Sequence, residues 1–277
     1  MAGLVELTSI RSPRVKSARR LAKRAFRQQD RRFLAEGPQA VREALALETA
    51  SGTGLVELYA TAEAASRHAD LVDAAVKAGV PVLRVSGEVM AELAQTVTPQ
   101  GLLAVCAFLD VTLERALEGA PKLVTVLSHV RDPGNAGTVL RASDAAGAAS
   151  VIFTDASVDP YNGKCVRASA GSLFHLPVVT GPRYTTLIPA LKAAGLTVLA
   201  ADGAGTRTLD DLADDGSLAR PTAWVFGNEA WGLPEEVREL ADDVVRVPIH
   251  GKAESLNLAT AAAVCLYASA RAQRSVS

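Results

Sequence analysis

The second half of the chain alternates short apolar runs with longer amphipathic segments. Leu123 to Val130 is a mainly apolar run, which is typical of a strand covered on both faces of a sheet. Further strands are predicted at residues 150–154, 177–180, 197–201, 223–226 and 244–249, and helices at 138–146, 185–194 and from near 255 onward. Strands that alternate with helices predict an α/β fold with a mainly parallel sheet, which binds ligands at the carboxyl ends of its strands.

The first half has the same alternation on a smaller scale. Strands are predicted at residues 55–60, 81–85 and 102–108, and helices at 39–47, 62–78 and 88–95. Ahead of them, residues 17–29 fit one basic helix with Leu21, Ala25 and Val15 on its inner face. We therefore predict a first domain over residues 1–110, a linker over 111–121 and a second domain over 122–277.

Composition narrows the class of protein. Of the 277 residues 49% are hydrophobic and 4% aromatic, which excludes a disordered or fibrous chain. No segment reaches the roughly 20 apolar residues of a membrane span, and the basic N-terminus lacks the apolar stretch of a secretory signal, so we predict a cytoplasmic protein. The three cysteines are widely separated, which predicts neither disulfides nor a metal site.

The net charge of −1 hides a strong asymmetry. Residues 1–34 hold ten Lys and Arg against two acidic residues, a local charge of +8. Clustered guanidinium groups neutralise phosphates, so this segment is a candidate RNA-binding surface, although a solvated helix face would look the same. The candidate RNA contacts on it are Arg11, Arg19, Arg20, Arg24 and Arg27.

Unusual residues follow the first apolar run of the second half. Asn135 and Gly137 are predicted at a helix N-terminus with Arg141 about one turn further, an arrangement that suits an anion. The same outline, with Asp155 placed 21 positions after Gly134, also suits a dinucleotide-binding unit, but the three-glycine fingerprint is missing. A nucleotide cofactor and a purely structural turn both remain open for this loop.

Two later loops carry polar clusters as well. Residues 227–234 combine glycines, an acid and an aromatic between a strand and a helix, which suits a tight turn with Asn228 in left-handed geometry. Residues 250–261 lead into the final helix, where Ser255 is a plausible N-cap. The sequence alone gives Glu229 no partner.

Taken together and in this order, the three loops resemble one family. Its motifs correspond to Asn135-x-Gly137-x-x-x-Arg141, to Gly227-Asn228-Glu229-x-x-Gly232-Leu233, and to Val247-Pro248-Ile249 through Ser255-Leu256-Asn257-Leu258-Ala259. They are similar to the three motifs of the SpoU (TrmH-type) branch of the SPOUT RNA methyltransferases. Residues 167–174 are similar to a further family segment, and residues 33–37 resemble the start of the ribosomal-protein-like RNA-binding domain that many members carry in front.

The resemblance implies more than the periodicity does. It implies a deep trefoil knot near the C-terminus, which is a rare exception among folds. It also implies S-adenosylmethionine as cofactor, methyl transfer to a ribose 2′-hydroxyl of RNA, and a homodimer with the active site at the subunit interface. Ribosomal RNA is favoured over tRNA, because members that act on tRNA often lack a complete front domain.

The resemblance also assigns roles to individual residues. Candidate catalytic residues are Arg141, as the family's essential arginine, with Asn135, Glu229, Ser255 and Asn257, the last two facing the reacting ribose. Candidate cofactor-binding residues are Leu199, Gly227, Asn228, Glu229, Val247, Ile249, Leu256 and Leu258. Arg167 is expected to reach RNA phosphate or the partner's site.

The proton acceptor stays unassigned. A guanidinium remains protonated at neutral pH, so we expect Arg141 to grip a phosphate or stabilise the developing alkoxide. His129 and His250 flank the motifs and are alternatives, although a structural role suits them equally well. Aromatic residues are sparse at the front of the chain, where Phe26 and Phe33 stand alone, so shape and phosphate contacts are expected there rather than base stacking.

Two other functions are compatible with parts of the pattern. A nucleotide-dependent oxidoreductase would use the Asn135 loop and Asp155, and a catalytically silent RNA-binding protein would use the same scaffold. A role in self-resistance to a ribosome-directed antibiotic and a housekeeping modification both fit the methyltransferase interpretation.

Overall fold

The computed structural model describes residues 6–275 and divides into two compact units. The N-terminal unit takes the chain up to residue 109 together with residues 161–175. The C-terminal unit takes residues 110–160 and the chain from 176 onward. The sequence predicts a first domain over residues 1–110, a linker over 111–121 and a second domain over 122–277, whereas this division assigns residues 161–175 to the N-terminal unit.

The N-terminal unit is built on a four-stranded sheet in the order β1-β4-β2-β3. Its elements are α1 Pro13–Arg20, α2 Arg24–Asp30, β1 Arg32–Glu36, α3 Pro38–Ser51, β2 Leu55–Ala60, α4 Ala62–Arg67, α5 Ala69–Lys77, β3 Val82–Arg84, α6 Gly87–Leu93 and β4 Leu102–Ala107. Strand β4 runs antiparallel to β1 and β2, whereas β2 and β3 are parallel. The three predicted strands are confirmed, and β1 is an additional strand.

The predicted basic helix over residues 17–29 is two helices. The chain breaks after α1, and Leu21 is buried as predicted, but Ala25 is exposed. The inward side chain of α2 is Arg27, which is 2% exposed and whose Nη1 donates to the carbonyls of Leu21 and Ala22 at 2.9 and 2.8 Å. The prediction that Arg27 contacts RNA is therefore wrong, because its guanidinium is used to join the two helices.

The elements from residue 110 onward continue the alternation of strands and helices. They are α7 Leu113–Ala116, β5 Leu123–Leu127, α8 Pro133–Ala146, β6 Ser150–Phe153, α9 Gly163–Ala168, β7 Val178–Thr180, α10 Tyr184–Ala193, β8 Thr197–Ala201, β9 Arg207–Thr208, α11 Leu209–Asp214, β10 Thr222–Phe226, α12 Glu235–Leu240, β11 Asp243–Arg246 and α13 Leu258–Arg274. The strands form one seven-stranded sheet in the order β7-β6-β5-β10-β8-β11-β9. Every pairing in it is parallel, which confirms the predicted sheet.

The centre of this sheet explains its apolar sequence. All residues of β5 and β10 are buried, and α8 and α13 pack against each other on the sheet. Because β10 lies between β5 and β8, the loops that follow these three strands lie at the same edge of the sheet. The loop after β11, the neighbour of β8, leads into α13.

Residues 161–175, which contain α9, pack within the N-terminal unit although the chain places them between β6 and β7. The Tyr161 ring lies 3.9 Å from that of Phe108 and 4.8 Å from that of Phe33, measured between ring centroids. Burial of these rings gives the segment its place in that core. The structural division therefore differs from the predicted second domain of residues 122–277.

The described part of the chain contains neither a membrane-spanning helix nor a cluster of metal-ligating side chains. Within residues 6–275 no helix has both the length and the apolar character that a membrane crossing requires. The same residues contain no cluster of three or more side chains that would ligate a metal ion. The three cysteines are buried, and none of them forms a disulfide bond.

Candidate functional site

A carboxylate joins two loops at the ligand-binding edge of the parallel sheet. Glu229 follows β10, and its Oε2 accepts the backbone N–H of Arg131 at 3.4 Å while its Oε1 accepts that of Asp132 at 3.3 Å. Oε1 also accepts a hydrogen bond from Nδ2 of Asn135 at 3.1 Å. Adjacent parallel strands bring these loops together, which supplies the partner for Glu229 that the sequence lacked.

Asn135 connects this carboxylate to a third loop. Its Oδ1 accepts a hydrogen bond from Nδ2 of Asn257 at 3.1 Å. The Oδ1 of Asn257 in turn accepts the backbone N–H groups of Ala259 and Thr260, so Asn257 is the N-cap of α13. We call the side chains of Glu229, Asn135 and Asn257 the amide relay. It unites one residue from each sequence motif.

The helix starts differ from the predictions in two places. Helix α13 is capped by Asn257, so the predicted N-cap at Ser255 is wrong, and Ser255 is exposed. Helix α8 begins at Pro133 rather than at residue 138, with Asp132 as its N-cap. Pro at the first helical position and Asp before it are a normal helix start, but the glycines of this segment favour a loop in a sequence-based prediction.

The earlier start of α8 removes the predicted anion site. The Oδ1 of Asp132 accepts the backbone N–H of Asn135 at 2.8 Å, and Glu229 accepts those of Arg131 and Asp132. The N–H groups that a phosphate would need are thus bonded to two carboxylates of the protein itself. Negative charge at this helix end is supplied from within, consistent with the helix dipole.

Arg141 stands apart from the amide relay. It lies in the third turn of α8, where its side chain is exposed and, within residues 6–275, makes no hydrogen bond or ion pair. Six residues separate it from Asn135, which corresponds to about 240° around the helix axis at 3.6 residues per turn. Arg141 therefore does not face the relay of its own chain.

The loop over residues 227–233 is closed on itself. The backbone N–H of Asn228 donates to the Gly232 carbonyl at 2.8 Å, and the backbone N–H of Gly232 donates to the Asn228 carbonyl at 3.0 Å. The Asn228 side chain, 9% exposed, donates to the His129 carbonyl and accepts the Ala230 N–H, both at 2.9 Å. A Cβ on Gly227 would lie 2.5 Å from the Gly232 carbonyl, so only glycine fits there. These two motif residues fix the shape of the loop.

Two residues near the end of β8 differ from the sequence-based prediction, namely Asp202, which was not predicted, and Leu199. Asp202 follows β8, and its carboxylate accepts the backbone N–H groups of Leu233 at 3.1 Å and Ala204 at 2.9 Å. Leu199 lies in the middle of β8 and is 2% exposed, whereas the sequence placed it at the end of this strand, and its role as a wall of the cofactor pocket stays a prediction. The strand runs two residues further than Leu199, and an acid followed by glycine at its true end was the available signal.

Residues 249–256 present groups that would suit a nucleoside. The backbone of this segment makes no hydrogen bond within the described chain, and Ile249 and Leu256 are 38% and 36% exposed. Apolar side chains beside unpaired N–H and C=O groups are what an adenine ring with a ribose requires. Val247 and Leu258, at the two ends of the segment, are half-buried.

His129 differs from His250 in its surroundings. Its backbone has a positive φ of 55°, and its Nδ1 is hydrogen-bonded to the Tyr184 hydroxyl, which also contacts Oγ of Ser128 at 3.1 Å. Burial lowers the pKa of His129 and raises that of Tyr184. His250 is exposed and has no hydrogen bond within residues 6–275.

The basic residues of the N-terminal unit fall into two groups. The side chains of Arg11 and Arg24 are exposed and make no ion pair within the described chain. Arg19 pairs with a glutamate of α6, and Arg20 pairs with an aspartate of α2 at 2.6 Å. Arg167, in α9, lies 3.6 Å from a glutamate of β1 and is about one-third exposed.

Comparisons with known proteins cover both units. A model of the SpoU rRNA methylase family matches residues 122–267, and one of the MRM3-like substrate binding domain matches residues 12–104. The chain is 34% identical over 273 residues to an uncharacterized tRNA/rRNA methyltransferase of Synechocystis, covering 98% of this chain and 95% of the other. It is 31% identical over 264 residues to the 23S rRNA (guanosine(2553)-2'-O)-methyltransferase RlmP of Bacillus subtilis, covering 95% and 98%.

A solved structure is similar over the same length. The AdoMet-bound rRNA methyltransferase from Sinorhizobium meliloti matches with a TM-score of 0.81 at 31% identity, covering 96% of this chain and 97% of the other. Both units are thus represented in one homologous structure.

Proposed function

This chain belongs to the SpoU rRNA methylase family, and from that membership we infer that it transfers the methyl group of S-adenosylmethionine to a ribose 2′-hydroxyl of RNA. We propose large-subunit ribosomal RNA as the substrate, because the relative named for 23S rRNA aligns with nearly all of both chains. Methylation of this substrate would take place in the cytoplasm. The observation that carries the proposal is the amide relay, since it joins one side chain from each of the three motifs.

The 249–256 segment fits the adenosine part of the cofactor. Ile249 and Leu256 would cover the adenine and ribose, and the unpaired backbone groups of the segment would hydrogen-bond their polar edges. When bound, S-adenosylmethionine supplies an electrophilic methyl group on a sulfonium. The protein must then align the hydroxyl with that methyl group and assist loss of its proton.

The amide relay serves to position rather than to exchange protons. Both polar atoms of the Asn135 side chain are bonded, and the Glu229 carboxylate accepts three N–H groups. These bonds hold the loop after β10 against the start of α8 and fix the start of α13. We assign Asn135 and Glu229 to positioning, and we assign Ser255 and Asn257 to the side facing the ribose.

Arg141 acts on the active site of a second subunit in this proposal. Its side chain is exposed and turned away from its own relay, so a partner is needed to bring it to the chemistry. A guanidinium is suited to gripping the phosphate next to the target ribose, or to stabilising charge that develops on the 2′-oxygen. It is unsuited to accept a proton.

A homodimer is supported by the outer face of α13. Val264 and Tyr267, spaced three residues apart on this helix, are 41% and 54% exposed. Helix α13 packs beside α8, the helix that carries Arg141. An apolar face of this kind would bury against its own copy in a two-fold dimer.

We also propose the trefoil knot that the family resemblance implies. Strand β11 pairs with β8, which lies on one side of β10. The chain continues from β11 into α13, and α13 packs against α8, the helix that follows β5 on the other side of β10. The crossing from one side to the other lies within residues 247–257. This segment would therefore close the knot and also hold the cofactor.

The N-terminal unit binds RNA in this proposal. Arg11 and Arg24 are its exposed, unpaired candidate contacts, with Arg19, Arg20 and Arg167 available where RNA phosphate replaces their present carboxylate partners. Phosphate contacts position an RNA without reading its sequence. Selection of the nucleotide is therefore left to the C-terminal unit.

The reaction is tested by tritium transfer from labelled S-adenosylmethionine into unmodified 23S rRNA and, separately, tRNA, followed by nuclease digestion. We expect label on a ribose 2′-oxygen of one 23S nucleotide. Arg141→Ala should abolish transfer without lowering the melting temperature, and Arg115→Ala, an exposed arginine of α7, is the matched control. Cofactor binding without label in either RNA would contradict the proposed substrate, and label on a base would contradict the reaction.

The assignment of Arg141 to the partner's site has a separate test. Arg141→Ala and Asn257→Ala subunits are each expected to be inactive alone. If Arg141 acts across the interface, co-expression restores about a quarter of wild-type activity, because half of randomly paired two-fold dimers are mixed and each has one intact site. If Arg141 acted within its own chain, every site in the mixture would carry a defect and no activity would return.

A further inference from the structure

The two tryptophans of the chain have opposite surroundings. Trp224, in β10, is fully buried, and its indole N–H donates to Oγ of Ser269 at 2.9 Å. Trp231, five residues after the end of the same strand, is 53% exposed. Among the Phe, Tyr and Trp side chains of residues 6–275, only Trp231 and Tyr267 are exposed, and Tyr267 lies on the proposed dimer face. An exposed indole at the ligand-binding edge of the sheet therefore needs an explanation.

The Trp231 ring is held in place before any ligand arrives. The 227–233 loop that carries it is closed by the paired backbone bonds of Asn228 and Gly232 and tied down by Glu229. The ring meets that of His129 edge-on, with centroids 5.3 Å apart and planes at 60°. A ring fixed in this way loses little conformational entropy when a ligand packs against it.

The charges near this ring suit a polyanion. The backbone N–H of Arg131 donates to Glu229, which lies two residues before Trp231 in the chain. The side chain of Arg131 is exposed and makes no ion pair within the described chain. The negative charge of Glu229 is already directed at three N–H groups. Arg183, which lies next to the His129 partner Tyr184, is 81% exposed, and its Nε lies 3.9 Å from the Asp155 carboxylate. A phosphate-bearing ligand would meet cations beside the indole.

We propose that Trp231 stacks on an unpaired base of the RNA substrate at the methyl-transfer site, an inference that rests on the proposed function. Bases of single-stranded RNA stack on exposed aromatic side chains, and a ribose in a loop is accessible where one in a helix is not. Neither candidate ring at the front of the chain is exposed, since Phe33 is fully buried and Phe26 half-buried. The substrate nucleotide is therefore unpaired, and Trp231 is its platform.

Intrinsic fluorescence measures this contact directly, because Trp224 is buried and the exposed signal comes from Trp231. We would titrate the enzyme with in-vitro transcribed 23S rRNA, excite at the red edge of tryptophan absorption, and repeat the titration with Trp231→Phe. We expect RNA to quench the wild-type emission and to protect it from acrylamide, whereas the Trp231→Phe emission should not change. Quenching by S-adenosylmethionine alone, with none added by RNA, would overturn the proposal in favour of a wall of the cofactor pocket.

Steady-state transfer kinetics give an independent measure. Base stacking on an aromatic side chain is lost in Trp231→Ala, so kcat/KM for 23S rRNA should fall by about 10- to 100-fold. Trp231→Phe should stay within about threefold of wild type, and KM for S-adenosylmethionine should be unchanged in both. Val76→Ala, which truncates an exposed apolar side chain of α5, is the control. Wild-type kinetics in Trp231→Ala, or its conversion to a monomer, would overturn the stacking contact.

The two experiments separate this inference from the proposed function. Methyl transfer to a ribose of 23S rRNA without RNA-dependent quenching would refute the stacking and leave the reaction standing. RNA-dependent quenching without transfer to any ribose would refute the reaction and leave the stacking contact. Protection of Trp231 by a fully double-stranded RNA as strong as by 23S rRNA would refute the requirement for an unpaired base.

Discussion

Asn135→Asp tests the amide relay with an almost isosteric change. The new carboxylate can still accept the bond from Asn257, but it points at Glu229 where Nδ2 of Asn135 now donates at 3.1 Å. Two charges at this separation repel by about 1 kcal/mol at the dielectric of water and about 5 kcal/mol at an effective value of 20. Glu229 is exposed and Asn135 is half-buried, so we take the lower end and add about 1 kcal/mol for the lost hydrogen bond.

The expected destabilisation of the C-terminal unit is therefore about 2 kcal/mol, which corresponds to a fall in melting temperature of about 4–8 °C. Thermal unfolding followed by circular dichroism measures it, and S-adenosylmethionine affinity and methyl transfer should fall in parallel because the relay positions the loops. About half of the loss should disappear at 1 M salt, where charges a few ångströms apart are screened.

The double variant Asn135→Asp with Glu229→Gln supplies the control. The new glutamine amide can donate to the new aspartate carboxylate, which restores the side-chain bond although the Asp132 N–H loses its acceptor. The stability lost in the two single variants should therefore exceed that lost in the double variant by about 1–2 kcal/mol. A coupling energy below about 0.5 kcal/mol, or an Asn135→Asp enzyme that melts and transfers like wild type, would refute the relay.

Four further substitutions test other features of the structure. Arg24→Ala should leave the melting temperature unchanged and reduce the slope of log RNA affinity against log salt concentration by about one. Arg27→Ala should lower the free energy of unfolding by about 1–3 kcal/mol, because two backbone carbonyls lose their donor. Equal melting temperatures for the two variants would contradict this contrast. Gly227→Ala should cost about 1–3 kcal/mol, measured by urea unfolding, because its Cβ would press on the Gly232 carbonyl. Since the pKa of His129 is lowered in the folded state, stability should fall as pH drops below about 6.5, and His129→Asn should flatten that slope in urea unfolding between pH 7 and 5.5; parallel slopes would exclude the contribution.

Strand positions in the C-terminal unit were predictable because their cause is local. Each central strand is a mainly apolar run, and β5 and β10 are buried on both faces as such runs require. The start of α8 was not, because Gly134 and Gly137 have poor helix propensity and the helix is held there by Asp132 and by packing. Propensity gave way to tertiary contacts at that point.

The functional site was likewise predictable from the sequence only in part. The motif residues Asn135, Glu229 and Asn257 were identified from the sequence, and the structure brings them together. Their mutual bonds were not predictable, because they depend on β10 lying beside β5, a pairing between strands about 100 residues apart. The role of Asp202 likewise depends on a contact with Leu233, 31 residues further along the chain.

The placement of residues 161–175 has a consequence for biosynthesis. The N-terminal unit includes this segment, so its core cannot be completed when residue 109 is added. The ribosome must first synthesise the 66 residues from 110 to 175, which takes about 3–13 s at 5–20 residues per second. During that interval the apolar surface around Phe33 and Phe108 is not yet covered by Tyr161, while the first strands of the methyltransferase unit are already being synthesised. The two units therefore mature together on the ribosome instead of one after the other.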